Sequence, residues 1–137
     1  MKKPKSHLYD DKIDLFKKRR YAGIHLIVDF WFGEIIEKEE KIKKILWKAG
    51  ENSNNTPLRI VFHKFNPQGL TAVLLLAESH IAIHTWPEIN YVGLDIFSCG
   101  AKSNPYQALE YLKKEFKPKL VKMKEIKRGV KIKNCSS

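Results

Sequence analysis

Cysteine is scarce in this chain: Cys99 and Cys135 are the two among 137 residues. A disulfide framework is not expected, and the paired-cysteine spacing of a structural zinc site is missing. Long apolar runs are absent too. None approaches the roughly 20 residues needed to span a bilayer, and the basic N-terminus lacks the apolar stretch of a secretory signal, so a cytoplasmic protein without a membrane segment is the expectation. No internal repeat is present. Acidic residues are the minority charge, 15 Asp and Glu against 26 Lys and Arg, which leaves a formal charge of +11. Such an excess raises nucleic acid or an anionic membrane as a partner. It is concentrated in residues 1–20 and 113–133, however, and reads as tail and solvated face; Lys-rich composition is also a mark of heat-adapted proteins. A nucleic-acid partner is therefore not expected.

The length suits one compact domain with a real core. Residues 1–20 read as a basic arm, loose or forming a short surface helix, residues 21–130 as a single domain, and residues 131–137 as a polar tail. Within the domain, the β-branched and aromatic run from Gly23 to Phe32 predicts a buried strand ended by Gly33. Ile35, Ile36, Ile42, Ile45, Leu46 and Ala49 recur at near-helical spacing and predict an amphipathic helix stopped by Gly50. Leu58–Phe65 and Leu70–Ala77, joined by Asn66-Pro67-Gln68-Gly69, predict a hairpin. Two more strands are expected at His80–Thr85 and Tyr91–Phe97, around a Trp86–Asn90 link whose proline lacks a ladder N–H. Asn104 caps a second helix with Pro105 at its first position, Pro118 breaks it, and Leu120–Ile126 returns as a strand. The order β-α-β-β-β-β-α-β with hairpin connections predicts an α+β two-layer sandwich, a mainly antiparallel sheet with helices on one face. The other face of such a sheet, left uncovered, is a reason to expect a partner.

Reactive side chains gather in Glu78-Ser79-His80-Ile81-Ala82-Ile83-His84-Thr85-Trp86-Pro87-Glu88, with Asp95 and Cys99 downstream. In an extended strand His80 and His84 share one face and Ser79 takes the other. That alternation speaks against a Ser–His nucleophile pair within one strand unless a bend intervenes at Ser79. His80 and His84 on one face are compatible with a metal, but no metal site is expected without further ligands. Cys99 reads either as a reactive thiol or as a small buried apolar residue. Spacing alone leads no further than a small α+β domain with a reactive hairpin.

Phe62-His63-Lys64-Phe65-Asn66-Pro67-Gln68-Gly69, then Ala77–Glu88 with its Glu-Ser-His and His-Thr-Trp-Pro-Glu, then Asp95-Ile96-Phe97-Ser98-Cys99-Gly100, together resemble the prokaryotic S-adenosylmethionine decarboxylases. The resemblance covers about residues 20–130. It implies a precursor that cleaves itself between Glu78 and Ser79, with the Ser79 hydroxyl attacking the Glu78 carbonyl and Ser79 ending as a pyruvoyl group. His84 would then move the proton in the elimination step, and Thr71, where the family commonly has serine, would assist the acyl shift. The pyruvoyl carbonyl would take the substrate amine as a Schiff base and act as electron sink, and Cys99 would return a proton to the α-carbon. Phe65 and Glu88 match adenosyl contacts, by stacking and by accepting ribose hydroxyls. A homodimer of processed protomers acting in spermidine synthesis is implied as well.

Each residue also has a plainer reading, with His84 a satisfied strand histidine, Glu88 a turn carboxylate, and Trp86 and Phe65 core. Two rival functions stay open at this point. One is arginine decarboxylation by the same self-processing scaffold, and the other is a basic nucleic-acid-binding module on a decayed enzyme scaffold.

Overall fold

The computed structural model describes residues 12–13 and 16–132. Most of the basic arm and most of the polar tail, including Cys135, lie outside the described residues. The elements run β1 (Gly23–Trp31), α1 (Glu39–Asn52), β2 (Pro57–Lys64), β3 (Leu70–Leu76), β4 (Ser79–Trp86), a short 3-10 turn at Pro87–Ile89, β5 (Tyr91–Ser98), α2 (Pro105–Phe116) and β6 (Leu120–Arg128). The strands form one sheet in the order β2-β3-β4-β5-β1-β6, and every neighbouring pair is antiparallel. This is the two-layer α+β sandwich that the element order predicts.

Strand alternation decides which side of the sheet carries the core. Leu26, Val28 and Phe30 of β1, Leu74 of β3, Ile81 and Ile83 of β4 and Ile96 of β5 are all buried, and they pack with Ile42 and Leu46 of α1 and Leu112 and Phe116 of α2. Burying a side chain of this size stabilises by about 1.5–3 kcal/mol, so the helices are held on this face by their apolar stripes. Neither α1 nor α2 covers the opposite face. It presents His25, Ile27, Asp29, His80, His84 and Asp95, which alternate with the core positions.

Two details of the sequence reading are corrected. Ile35 and Ile36 precede α1 rather than belonging to it; Ile36 is buried while Ile35 is exposed. Gly50 does not end α1, which continues to Asn52. A Cβ at Gly50 would meet Leu74 Cδ2 at 2.9 Å and Leu76 Cδ2 at 3.1 Å. Gly50 therefore serves close packing of α1 on β3. The second helix ends as expected, with Asn104 accepting from the Tyr106 N–H at 3.0 Å and Lys117 in the left-handed conformation before Pro118.

Candidate active site

Strands β3 and β4 are joined by Ala77 and Glu78 alone, with Leu76 opposite Ser79. The Glu78 side chain is buried and gripped by one residue: the Thr56 N–H donates to Oε1 at 2.7 Å and the Thr56 hydroxyl to Oε2 at 3.0 Å. A backbone bond from the Ala77 N–H to the Thr56 carbonyl, at 3.0 Å, fixes the same turn. Gly100 lets Glu78 lie flat, because a Cβ there would stand 3.0 Å from Glu78 Cγ. The next residue, Ser79, has φ +154°. Only glycine adopts that region freely, and a side chain held there costs about 1–3 kcal/mol. The strained torsion is about the N–Cα bond of Ser79, next to the peptide bond between Glu78 and Ser79.

Register brings Cys99 to the same bond. Ser98, the last residue of β5, pairs with Ser79, and the Cys99 thiol donates to the Glu78 carbonyl oxygen at 2.7 Å. Burial pushes the Cys99 thiol up from its ordinary pKa, with the nearby Lys12 ammonium opposing. The thiol therefore keeps its proton at neutral pH, as a donor requires. A buried amide and hydroxyl set holds the supporting loop, since Ser98 and Ser103 both donate to Asn55 Oδ1, at 3.0 Å and 2.7 Å.

A second constellation sits toward the far end of β4. Thr71 and His84 are register partners, and Thr71 Oγ1 shares a hydrogen bond with His84 Nδ1 at 3.0 Å. They line a cleft of about 320 Å³ with Phe65, Gln68, Trp86 and Glu88. Phe65 and Trp86 are 50% and 41% exposed, so the expectation that they would be core is corrected: both aromatic surfaces face the cleft region. Glu88 Oε2 accepts from Gln68 Nε2 at 3.3 Å. Trp86 stacks on Tyr91 with ring centroids 5.1 Å apart, and Tyr91 on Trp31 at 4.6 Å.

The candidate residues thus fall into two groups. Glu78, Ser79 and Cys99 stand at one end of β4, while Thr71, His84, Phe65 and Glu88 stand at the other. Five residue steps of extended strand lead from Ser79 to His84, about 17 Å at the usual rise, so one chain does not bring them together. Sequence reading missed Thr56, which sits in a polar loop with no local signal and meets Glu78 only through the fold. It also gave no role to the open-face set of His80, His25 and Asp95, whose neighbours are fixed by strand order.

The family model described as S-adenosylmethionine decarboxylase matches residues 24–129. An S-adenosylmethionine decarboxylase proenzyme of Pelotomaculum thermopropionicum is 42% identical over 116 residues, covering 81% of this chain and 90% of that protein. One from Thermococcus kodakarensis is 40% identical over 110 residues, 79% of this chain and 77% of that protein. The crystal structure of the adenosylmethionine decarboxylase from Aquifex aeolicus VF5 superposes with a TM-score of 0.77 at 32% identity, covering 86% of this chain and 99% of that one. With the fold, these matches define a carboxy-lyase made as a proenzyme. The chain belongs to the S-adenosylmethionine decarboxylase family.

Proposed function

We propose that this chain cleaves itself between Glu78 and Ser79 and, once processed, decarboxylates S-adenosylmethionine to the aminopropyl donor for spermidine synthesis. The observation that carries the cleavage site is the treatment of one peptide bond: its carbonyl accepts from Cys99 at 2.7 Å, and the residue after it is held at φ +154°. A polarised carbonyl beside a strained serine is a substrate for N-to-O acyl shift. In that step Ser79 Oγ bonds to the Glu78 carbonyl carbon, the C–N bond breaks, and the proton ends on the Ser79 amine. Removal of the Ser79 α-proton then expels the Glu78 carboxylate, and water displaces ammonia to leave the pyruvoyl group.

The residues present fit that group: a serine at the strand start, a protonated thiol beside it, and backbone strain that cleavage relieves. The pyruvoyl group supplies a carbonyl that withdraws electrons as carbon dioxide leaves. Cys99 holds the proton that returns to the substrate α-carbon. Phe65 offers a ring for stacking, and Glu88 offers a carboxylate for ribose hydroxyls.

By this reading His84 serves the elimination and Thr71 the acyl shift, yet His84 lies about 17 Å along β4 from the serine of its own chain, with Thr71 opposite it on β3. A two-fold homodimer reconciles the roles with the distance, because an isologous interface can place His84 and Thr71 of one copy beside Ser79 and Cys99 of the other. The open sheet face, with Ile27, Val61, Leu75 and Trp86 exposed on it, offers such an interface. Among the described residues no helix is long and apolar enough to cross a membrane. The buried free thiol suits a reducing, cytoplasmic compartment. Release of labelled carbon dioxide from carboxyl-labelled S-adenosylmethionine, with labelled arginine in parallel, tests the substrate; release from arginine alone would replace it.

A further inference from the structure

In a regular strand Ser79 and His80 would point to opposite faces of the sheet. At φ +154° the alternation fails, and the Ser79 hydroxyl lies 3.4 Å from Nδ1 of His80. The His80 ring is not free to wander. Phe97, its partner across the β4–β5 ladder, stands edge-on to it with centroids 5.9 Å apart, and His25 of β1 approaches at 6.3 Å in a T-shaped arrangement. His25 is itself fixed, donating from Nε2 to Asp95 Oδ1 at 3.1 Å. The Arg128 guanidinium closes the group, 4.7 Å from the Phe97 ring centre.

We propose that His80 is the catalytic base of the acyl shift, taking the Ser79 hydroxyl proton through Nδ1, with His25 and Asp95 as positioning residues that hold its ring. The inference rests on the reading that the chain cuts itself before Ser79. The proton balance closes on one side chain. As Oγ bonds to the Glu78 carbonyl carbon, its proton passes to Nδ1; as the C–N bond breaks, the imidazolium returns that proton to the departing Ser79 nitrogen, one residue away. His84 serves a different step, the elimination, because its Nδ1 is already engaged by Thr71.

The protonation state agrees with the geometry. Burial lowers the His80 pKa most, the neighbouring His25 lowers it further, Asp95 opposes, and Arg128 lowers it again. Its partner on β3 is the uncharged Leu75. The ring is therefore neutral at pH 7 and able to accept.

The test follows cleavage of the full-length chain by intact mass after synthesis, with and without hydroxylamine, for wild type, His80→Ala, His80→Gln and His84→Ala. Far-UV circular dichroism checks that each variant is folded. Folded His80→Gln is expected to remain an intact amide that hydroxylamine does not split, its cleavage slowed about 10²-fold or more, the usual contribution of a general base. Added imidazole should restore cutting to His80→Ala. His84→Ala should instead stall after the shift and be split by hydroxylamine. Asp95→Asn should move the acid limb of the cleavage pH profile to lower pH, an effect that loss of packing alone would not produce. Wild-type cutting in either folded His80 variant, or ester accumulation in it, would overturn the role. An uncut wild-type chain would fail the self-cleavage reading itself.

Discussion

The thiol of Cys99 and the carbonyl of Glu78 are hydrogen-bonded at 2.7 Å, although 21 residues separate them in the chain. In the proposed reaction this bond polarises the carbonyl that Ser79 attacks, and after cleavage, with Glu78 a chain end, the same thiol is left free beside the new pyruvoyl group. Cys99→Ala should therefore slow self-cleavage, by up to about 10²-fold for loss of a donor at a developing oxyanion. It should also abolish carbon dioxide release in whatever fraction is cut. Timed intact-mass spectra and the labelled-substrate assay report the two effects separately.

Separation of the two residue groups along β4 makes a prediction about mixed dimers. Co-expression of Cys99→Ala with His84→Ala, each inactive alone, should return roughly a quarter of the wild-type number of sites, as random pairing in a two-fold dimer gives. Differently tagged copies purified in tandem allow the mixed species to be assayed. No activity in the mixed dimer would mean that each site is built within one chain.

Gly33 follows β1 where the chain passes the end of α2. A Cβ there would run into the Phe116 carbonyl oxygen and stand 3.2 Å from Pro118 Cα. Both obstacles are backbone, and that same carbonyl accepts from the Glu34 N–H at 2.7 Å. Gly33→Ala should destabilise by about 1–3 kcal/mol. A lower urea midpoint at unchanged slope is the expected result.

Alkaline pH should expose the tyrosines in two groups. Burial pushes Tyr91 and Tyr106 up from 10.0 to about 12, reinforced by hydrogen bonds to Asp29 and Glu125 respectively. A phenol whose folded pKa is raised contributes stability that is complete below pH 10 and is lost as pH rises through about 12. Phenolate absorbance of the folded protein should thus lag the unfolded chain over pH 10–12. Tyr91→Phe should remove part of the lag.

Much of this was readable from sequence, for local reasons. Strand alternation separated the core face of β4 from its open face, and the Asn104-Pro105 cap marked α2, but at Ser79 the backbone departs from alternation and its hydroxyl meets His80 instead. Ile35 and Ile36 misled because their spacing is helical but a helix also needs its first turn free to form; the chain there is held by β1 and by the Glu34 bond to Phe116. Gly50 misled because glycine ends helices and also lets them pack closely, and contact with Leu74 decides between the two. The grip of Thr56 on Glu78, and the grouping of His25 and Asp95 near His80, depend on strand order across the sheet. Periodicity within a single segment carries no trace of them.

Intact mass under denaturing conditions bears most directly on the central claim. The purified protein should resolve into two chains, residues 1–78 and residues 79–137, the second lighter than a serine-started peptide by one ammonia. A single uncut chain that persists on long incubation would contradict it.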